Sequence, residues 1–589
     1  MLGFYSKALH IDLSSRQSYV EALDDKILRA GLGGKGLGSQ LLLREAPPGI
    51  DPLSPANPLI IACGPLTATA MPGASRYGVY SKSPLTRGYA ESYSGGSVAP
   101  VIKATGYDAI VIYGASEIPV SLHISDKGVN FLSAGHLWGK DTYETEASLL
   151  AEVGEGKAQA IVIGPAGENL VRFACIENNK WRSAGRAGLG AVMGSKRLKG
   201  IVFSGEAECP IADAVLLKET ANRIIREGNA SSSVLAYRQQ GTPMMVKTNN
   251  ETGSFPTRYW SEGTLEGWEK ISAQQMRETM DVKPRACQRC FYACGKLTTV
   301  KVGRHAGLTI EGPEYETIYA FGGLCAIADL AEIAYLNDLC DRVGMDTIST
   351  GNLVAFAMEA TRRGVLNGPY YGDADGAAEL VERIGRKQGI GALLAEGIVR
   401  ASRELGLEDI AIHVKGMEPA GYDPRVLKGM ALAYATASRG ACHLRSTFYK
   451  FEFSGVSDPD IIEGKAAMFV EVEDRLAIMD TLIMCRFYRD LLQWPELQTL
   501  IEAATGLRLS VEEMRRMANH IVTLTRAFNY REGFTRADDN LPARFHDEPI
   551  DGKIISRPEL EKMLSEYYAL RGWDAGGKPS LDFQTKQRQ

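Results

Sequence analysis

The chain opens on short apolar runs and changes its period partway along. Pro58–Cys63, Asp108–Tyr113, Val120–Ile124, Ala160–Ile163 and Gly200–Phe203 are rich in Ile, Val and Leu and bounded by Gly, Pro or polar residues. Runs this short and β-branched predict strands. Glycine-rich stretches lie between them, notably Gly31–Gly38 and Gly185–Gly190, and are expected as tight turns. After Pro210 the apolar residues recur at helical spacing, first over Ile211–Ile225. Asp329–Val343 and Gly464–Met479 are the clearest amphipathic stretches beyond it. A second boundary is expected near residue 410, before His413. The pattern predicts an α+β protein with a β-rich domain over 1–209, a mainly helical domain over 210–410 and a mainly helical C-terminal domain over 411–589. The polar tail after Gly576 is expected to fray.

Composition narrows the function. A chain of 589 residues exceeds one core, and about three to four domains is the prior. Hydrophobic residues make up 45%, charged residues 23%, and the net charge is -5, as in an ordinary soluble enzyme. Mild acidity without a Lys/Arg stripe argues against nucleic acid. No run of eighteen apolar residues predicts a membrane span. The N-terminus lacks a charged stretch followed by an apolar one, so no signal peptide is expected. Ten cysteines, three of them bunched, do not resemble a secreted disulfide framework, and a reducing cytoplasm is the expected compartment.

The bunched cysteines carry the chemistry. Cys287, Cys290 and Cys294 form a C-x2-C-x3-C run, and Cys485 closes a D-T-L-I-M-C segment far downstream. A structural zinc site usually shows a second C-x-x-C knuckle or a His pair, and none follows. A radical-type cluster motif has the reverse spacing. A [4Fe–4S] cluster with a remote fourth cysteine fits best, with zinc as the remaining alternative. Pro284 and Gly295 bracket a loop, and Phe291 and Tyr292 are placed to shield a cluster from water. The other cysteines, Cys63, Cys175, Cys209, Cys325, Cys340 and Cys442, read as small apolar filler.

Two short segments match. Asp341-Arg-Val-Gly-Met-Asp346 and Asp480-Thr-Leu-Ile-Met-Cys485 each close a predicted helix. Alone, either is an ordinary helix end, with Gly344 as a left-handed cap. Together they suit one cofactor with two similar halves, each gripped by a carboxylate and backbone amides.

Further motifs extend over nearly the whole chain: Gly33–Gly38, Cys63–Leu66, Pro72–Tyr77, Arg186–Lys196, Gly312–Thr317, Gly421–Arg425, Tyr434–His443 and Arg531–Pro542. With the cysteine run they make the chain resemble the tungsten-containing aldehyde:ferredoxin oxidoreductase family. The resemblance implies a tungsten ion on two pterin dithiolenes, a Mg2+ ion bridging their phosphates and a nearby [4Fe–4S] cluster. It implies an N-terminal domain of two β-sheets forming a saddle under the pterins, then two mainly helical domains. Carried over, Cys287, Cys290, Cys294 and Cys485 ligate the cluster, and Arg76 lies between cluster and pterin. Tyr93, Gly95, Arg182, Ser183 and Gly185 hold the phosphates and magnesium. Asp341, Met345 and Asp346 grip one pterin and Ile483 the other, with Arg439 and Arg445 as further contacts. Without the resemblance, Arg76 and Arg182 would read as surface salt bridges.

There are departures. Ile483 stands where the family usually has Gly, and Tyr93 where Asn is usual. No histidine lies between His305 and His413, so the subunit-bridging iron of some homodimeric members is not expected, although an oligomer is. The implied reaction turns an aldehyde and water into a carboxylate and passes electrons to ferredoxin or a separate small iron–sulfur subunit. Glu316 is the candidate base, with Glu314 its rival, and His443 the candidate hydrogen-bond donor to the carbonyl. From residues alone Glu316 would be a helix N-terminal carboxylate and His443 a core histidine. Tungsten is not separable from molybdenum here. The alternatives are the tungsten subunit of a benzoyl-CoA-type ring reductase and a non-catalytic iron–sulfur relay subunit.

Overall fold

The computed structural model describes residues 1–580, so the last nine residues of the tail expected to fray lie outside the described residues. Two six-stranded sheets form the N-terminal part. The first holds β1 (Lys7–Asp12), β2 (Gln17–Ala22), β3 (Leu59–Ala62), β4 (Tyr77–Lys82), β5 (Tyr89–Ser94) and β6 (Ala109–Tyr113). The second holds β7 (Val120–Ser125), β8 (Gly128–Ser133), β9 (Gln159–Val162), β10 (Ile176–Asn178), β11 (Arg182–Ala184) and β12 (Leu198–Phe203). All five sequence-predicted strands are present within a residue or two.

The sheets repeat one topology. Their strand orders are β2-β1-β6-β3-β4-β5 and β8-β7-β12-β9-β10-β11, the second being the first advanced by six strands. Pairing senses match as well: β1–β6 and β7–β12 are parallel, while β3–β6 and β9–β12 are antiparallel. Strand alternation explains the burial on both faces. Ile110 and Ile112 point into a core shared with Leu122, Ile161 and Phe203 of the other sheet. Ala109 and Val111 point the other way, into the helical core.

The chain beyond Pro210 is mainly helical, as the change of period predicts. The elements that position the site are α1 (Gly34–Glu45), α2 (Leu330–Val343), α3 (Thr347–Arg362) and α4 (Lys465–Thr481). Asp329 caps α2 by accepting from Ala331 and Glu332 N–H groups, as the Asp-Leu boundary in the sequence suggests.

Two features differ from expectation. The glycine run at Gly33–Gly38 does not make a turn but starts α1. Its glycines are spent on close approach: a Cβ on Gly34 would stand 2.3 Å from the Asp480 carbonyl, and one on Gly38 2.4 Å from the Tyr80 ring. Helix propensity yields to packing here. The helical region also contains a three-stranded sheet, β13 (Met280–Arg285), β14 (Gly295–Val300) and β15 (Thr309–Glu311). Pro284 and Gly295 lie at the facing ends of β13 and β14, so the cysteine run is the connection of a hairpin.

Candidate active site: two matched turns, a cysteine cavity and a buried Glu–His pair

The two short motifs fold alike. Gly344 has φ +77° and Ile483, at the same place in the second motif, has φ +58°. Met345 N–H donates to the Cys340 carbonyl and Met484 N–H to the Met479 carbonyl, the same reach back across a helix end. Glycine tolerates this backbone and isoleucine does not, so Ile483 is held there by its surroundings. Each turn rests on an equivalent point of the two sheets. Gly64 follows β3 and would put a Cβ 2.5 Å from the Leu482 carbonyl, while Gly164 follows β9 and would put one 2.4 Å from the Val343 carbonyl.

Strand register extends the correspondence. Ala62 pairs with Gly78 and Gly78 with Tyr93 in the first sheet. Val162 pairs with Glu177 and Glu177 with Ser183 in the second. Tyr93 and Ser183 are therefore equivalent positions, as are Gly95 and Gly185. Residues named from the resemblance for one shared anion and cation site thus occur in matched pairs.

Cys287, Cys290, Cys294 and Cys485 line a single cavity of about 230 Å³ together with Arg76, Tyr93, Gly95, Arg182 and Ser183. Gly96 N–H donates to Cys287 Sγ at 3.2 Å, and a Cβ on Gly95 would come 2.9 Å from the same sulfur. The Tyr488 hydroxyl lies 3.4 Å from Cys290 Sγ. Burial raises the Cys290 and Cys294 thiols above their ordinary values, so metal binding there must displace protons. Among the described residues, no three His, Cys, Asp or Glu side chains gather closely enough for a single ion. The sulfurs instead surround a space sized for a larger group. Tyr292 is buried beside them, while Phe291 is half-exposed.

The arginines are not surface pairs. Arg76 donates to the Tyr93 carbonyl at 3.2 Å. Arg182 donates to both carboxylate oxygens of Glu311, and its side chain is only 17% exposed. Arg445 bridges Glu91 at 2.6 Å and Asp480 at 2.8 Å, and Arg486 also donates to Asp480. Burial opposes it, but Arg445, Lys35 and Arg439 hold the Glu91 carboxyl well below the usual carboxylate range. Around the second turn, cations therefore outnumber carboxylates. Around the first turn the balance reverses. Burial and the nearby Asp338 push the Asp341 carboxyl well up, and one of its oxygens accepts from Asn337 at 2.7 Å.

Asp346 has both oxygens committed. One caps α3 at Ile348 N–H, and the other accepts from Arg186 Nε at 2.8 Å and Ser349 Oγ at 2.9 Å. Its backbone is committed as well, the N–H to the Phe173 carbonyl at 3.2 Å and the carbonyl accepting from Thr350 N–H at 2.9 Å and Thr350 Oγ1 at 2.7 Å. Arg439 sends Nε and Nη2 to Cys442 Sγ, at 3.2 and 3.0 Å. Although burial opposes it, Arg439 and Arg445 draw that thiol down to about 7, so Cys442 is not the apolar filler expected of it. Sequence reasoning also missed Lys35, Glu91 and Arg186 as site residues. Lys35 and Arg186 stood inside motifs already singled out, and no spacing marked Glu91.

Glu316 and His443 meet. Glu316 Oε1 lies 3.5 Å from His443 Nε2, in a neighbourhood otherwise buried, with side-chain exposures of 19% and 11%. Glu316 lies within the short helical turn Tyr315–Thr317, whose N-cap is Glu314, and precedes a stretch of π-helix, Ile318–Leu324, a distortion often found at functional sites. Its Oε2 accepts from Gly421 N–H at 3.0 Å, whereas among the described residues Glu316 Oε1 and His443 Nδ1 have no hydrogen-bond partner. Burial pushes the carboxyl up to about 8. Burial, then Arg439, Arg186 and Arg445, push the imidazole well below its ordinary value, so it is neutral at physiological pH. Tyr422 stacks on Tyr449 at 4.0 Å between ring centres and lies 5.6 Å from the imidazole. Glu314, the rival, lines the cysteine cavity and accepts from the Thr242 hydroxyl.

Residues 8–205 match the model for the aldehyde ferredoxin oxidoreductase N-terminal domain, and residues 218–585 the model for domains 2 and 3 of the same proteins. The chain belongs to the aldehyde ferredoxin oxidoreductase family. This family enzyme is 38% identical over 600 residues to the tungsten-containing aldehyde ferredoxin oxidoreductase of Pyrococcus furiosus, covering 98% of both chains. The protein of that name in Thermococcus kodakarensis is equally similar. An aliphatic sulfonate oxidoreductase, WOR-like subunit, of P. furiosus is 29% identical over 98% of this chain. The solved active-site complex BamBC of benzoyl coenzyme A reductase superposes with a TM-score of 0.84 at 24% identity, over 98% of this chain and 96% of that one. That likeness concerns the fold. Among the described residues, no helix is long and apolar enough to cross a membrane.

Proposed function

We propose that this family enzyme oxidises aldehydes to carboxylates on a tungsten ion held by two pterin dithiolenes. Electrons leave through a [4Fe–4S] cluster for ferredoxin or a ferredoxin-like subunit in the cytoplasm. The balance is aldehyde plus water giving carboxylate, three protons and two electrons. The observation that carries the proposal is that the second Asp turn ends in Cys485, itself a wall of the cysteine cavity. A ring-binding turn and a cluster ligand then share one peptide.

The residues suit both groups. Cys287, Cys290, Cys294 and Cys485 would hold the cluster. Asp341 and Met345 would hold one pterin, and Ile483, Arg439 and Arg445 the other. Arg76 would lie between cluster and pterin, and Tyr93, Gly95, Arg182, Ser183 and Gly185 would hold the phosphates and their Mg2+. Arg445 Nε and Arg486 Nε are buried without hydrogen-bond partners among the described residues, as donors awaiting an acceptor would be. Bound there, the tungsten group would supply the electron sink and Lewis acid that aldehyde oxidation requires.

The chain's own part is proton handling. As a carboxylate, Glu316 accepts a proton at Oε1 from water or the hydrated aldehyde. Protonated, it donates to His443 Nε2, which sets the imidazole tautomer and frees Nδ1–H to donate to a substrate carbonyl. The buried tyrosines around the pair keep bulk water away. Metal, sulfide and pterin analysis of natively expressed protein, with an aldehyde-dependent viologen assay, tests the proposal. Zinc at the cysteines and no pterin would end it. Iron, sulfide and no tungsten would instead make the chain a relay subunit.

A further inference from the structure

Resting on the proposed function, we infer that Glu177 is a further ligand-positioning residue, contacting the pterin at the first turn and having no counterpart at the second. Three observations meet here. Glu177 is 1% exposed, and among the described residues no hydrogen bond reaches its carboxyl, with Oε2 wholly enclosed. A buried carboxyl without a partner is costly to a fold and needs a reason. Its direction supplies one. In β10, Ile176 faces the core between the sheets, so Glu177 faces the opposite side. There it lies across from Ser183 and close enough to Asp341 of the first turn for the two carboxyls to act on each other. Its matched position in the first sheet is Gly78, which has no side chain.

The two halves therefore read the same ring system differently. At the first turn, Glu177 and Asp341 offer carboxyl groups to the ring's N–H and amino donors. At the second, Asp480 Oδ2 is shared between Arg445 and Arg486, and the position matched to Glu177 carries no side chain, so Asp480 Oδ1 has no second carboxyl beside it from that strand. Glu177 is thus a device that makes two chemically alike pterins inequivalent, distinguishing the one beside Asp346 from the one beside Cys485.

The test compares wild type, Glu177→Gln and Glu177→Leu, each isolated both loaded and after cofactor removal. Cofactor-free E177L is expected to unfold several degrees above cofactor-free wild type, because the leucine needs no partner. Loaded E177L is expected to retain at least threefold less pterin and tungsten through gel filtration. E177Q, which keeps hydrogen-bonding atoms, should retain its cofactor within twofold but shift the W(V) electron-spin signal. Wild-type cofactor content and an unchanged signal in both variants would overturn the inference. If E177L does not fold, an unchanged signal in E177Q alone does so. Failure of the functional proposal is separate, since wild type would then hold no pterin at all.

Discussion

Replacing Glu316 with glutamine isolates the energy stored in its buried carboxyl. A carboxyl whose folded value lies above its unfolded one holds its proton better in the folded chain. Its contribution to stability is full below the ordinary value of 4.5 and is lost as pH rises from there through about 8. Each tenfold change in proton affinity is worth about 1.4 kcal/mol. Complete ionisation thus withdraws on the order of 5 kcal/mol from the folded state by pH 9, as an upper bound. Glutamine has nearly the same shape and cannot ionise. Cofactor-free E316Q and wild type should therefore unfold together near pH 4.5. Above it their thermal curves should separate, with E316Q the more stable by up to about 1.4 kcal/mol per pH step until the difference levels off. The same variant, loaded with metals, should lose turnover. Wild-type kcat/KM, if Glu316 acts as a carboxylate base, should rise about tenfold from pH 7 to its plateau. Parallel unfolding curves across this range would show that Glu316 is not held protonated, and full turnover in E316Q would remove it from the chemistry.

Ile483→Gly relieves a left-handed residue, worth about 1–2 kcal/mol, but deletes a buried side chain worth about 2–5. Net destabilisation on the order of 2 kcal/mol is expected in thermal unfolding, with cofactor content retained. Asp346→Ala removes the cap of α3 and the partner of buried Arg186, and about 4 kcal/mol should be lost, since an unpaired buried charge costs more than a lost cap. Asp346→Asn keeps a capping oxygen but not the charge and should lose nearly as much, and a loss of under about 1 kcal/mol in Asp346→Asn would refute the charge argument. Cys485→Ser should lower iron and sulfide per chain and weaken dye reduction while sparing tungsten, measured by elemental analysis. Unchanged iron would exclude Cys485 as a ligand.

Strands such as Pro58–Cys63 and the amphipathic stretch Asp329–Val343 were legible because their periods differ and their bounds are marked by Pro, Gly or Asp. The cysteine run was legible because few arrangements need three thiols in eight residues. The helix at Gly34 was not, because glycine spacing looks alike whether it serves a turn or close packing. Nor was the β13–β15 sheet, in which β13 is a polar, exposed edge strand and β15 is only three residues long. The Glu316–His443 pairing joins residues far apart in sequence, and local pattern gave no sign of it. Glu91 and Arg186 matter through tertiary pairing, which one sequence does not display.

The duplicated sheets carry a consequence for electron flow. Twin scaffolds would by default offer two equivalent exits from anything held between them. Only one of the matched turns ends in a sulfur, Cys485, and the other ends in the carboxylate Asp346. Under the proposed function, this one among the differences between the two lobes would decide on which side current leaves the protein, and so on which surface a redox partner has to wait.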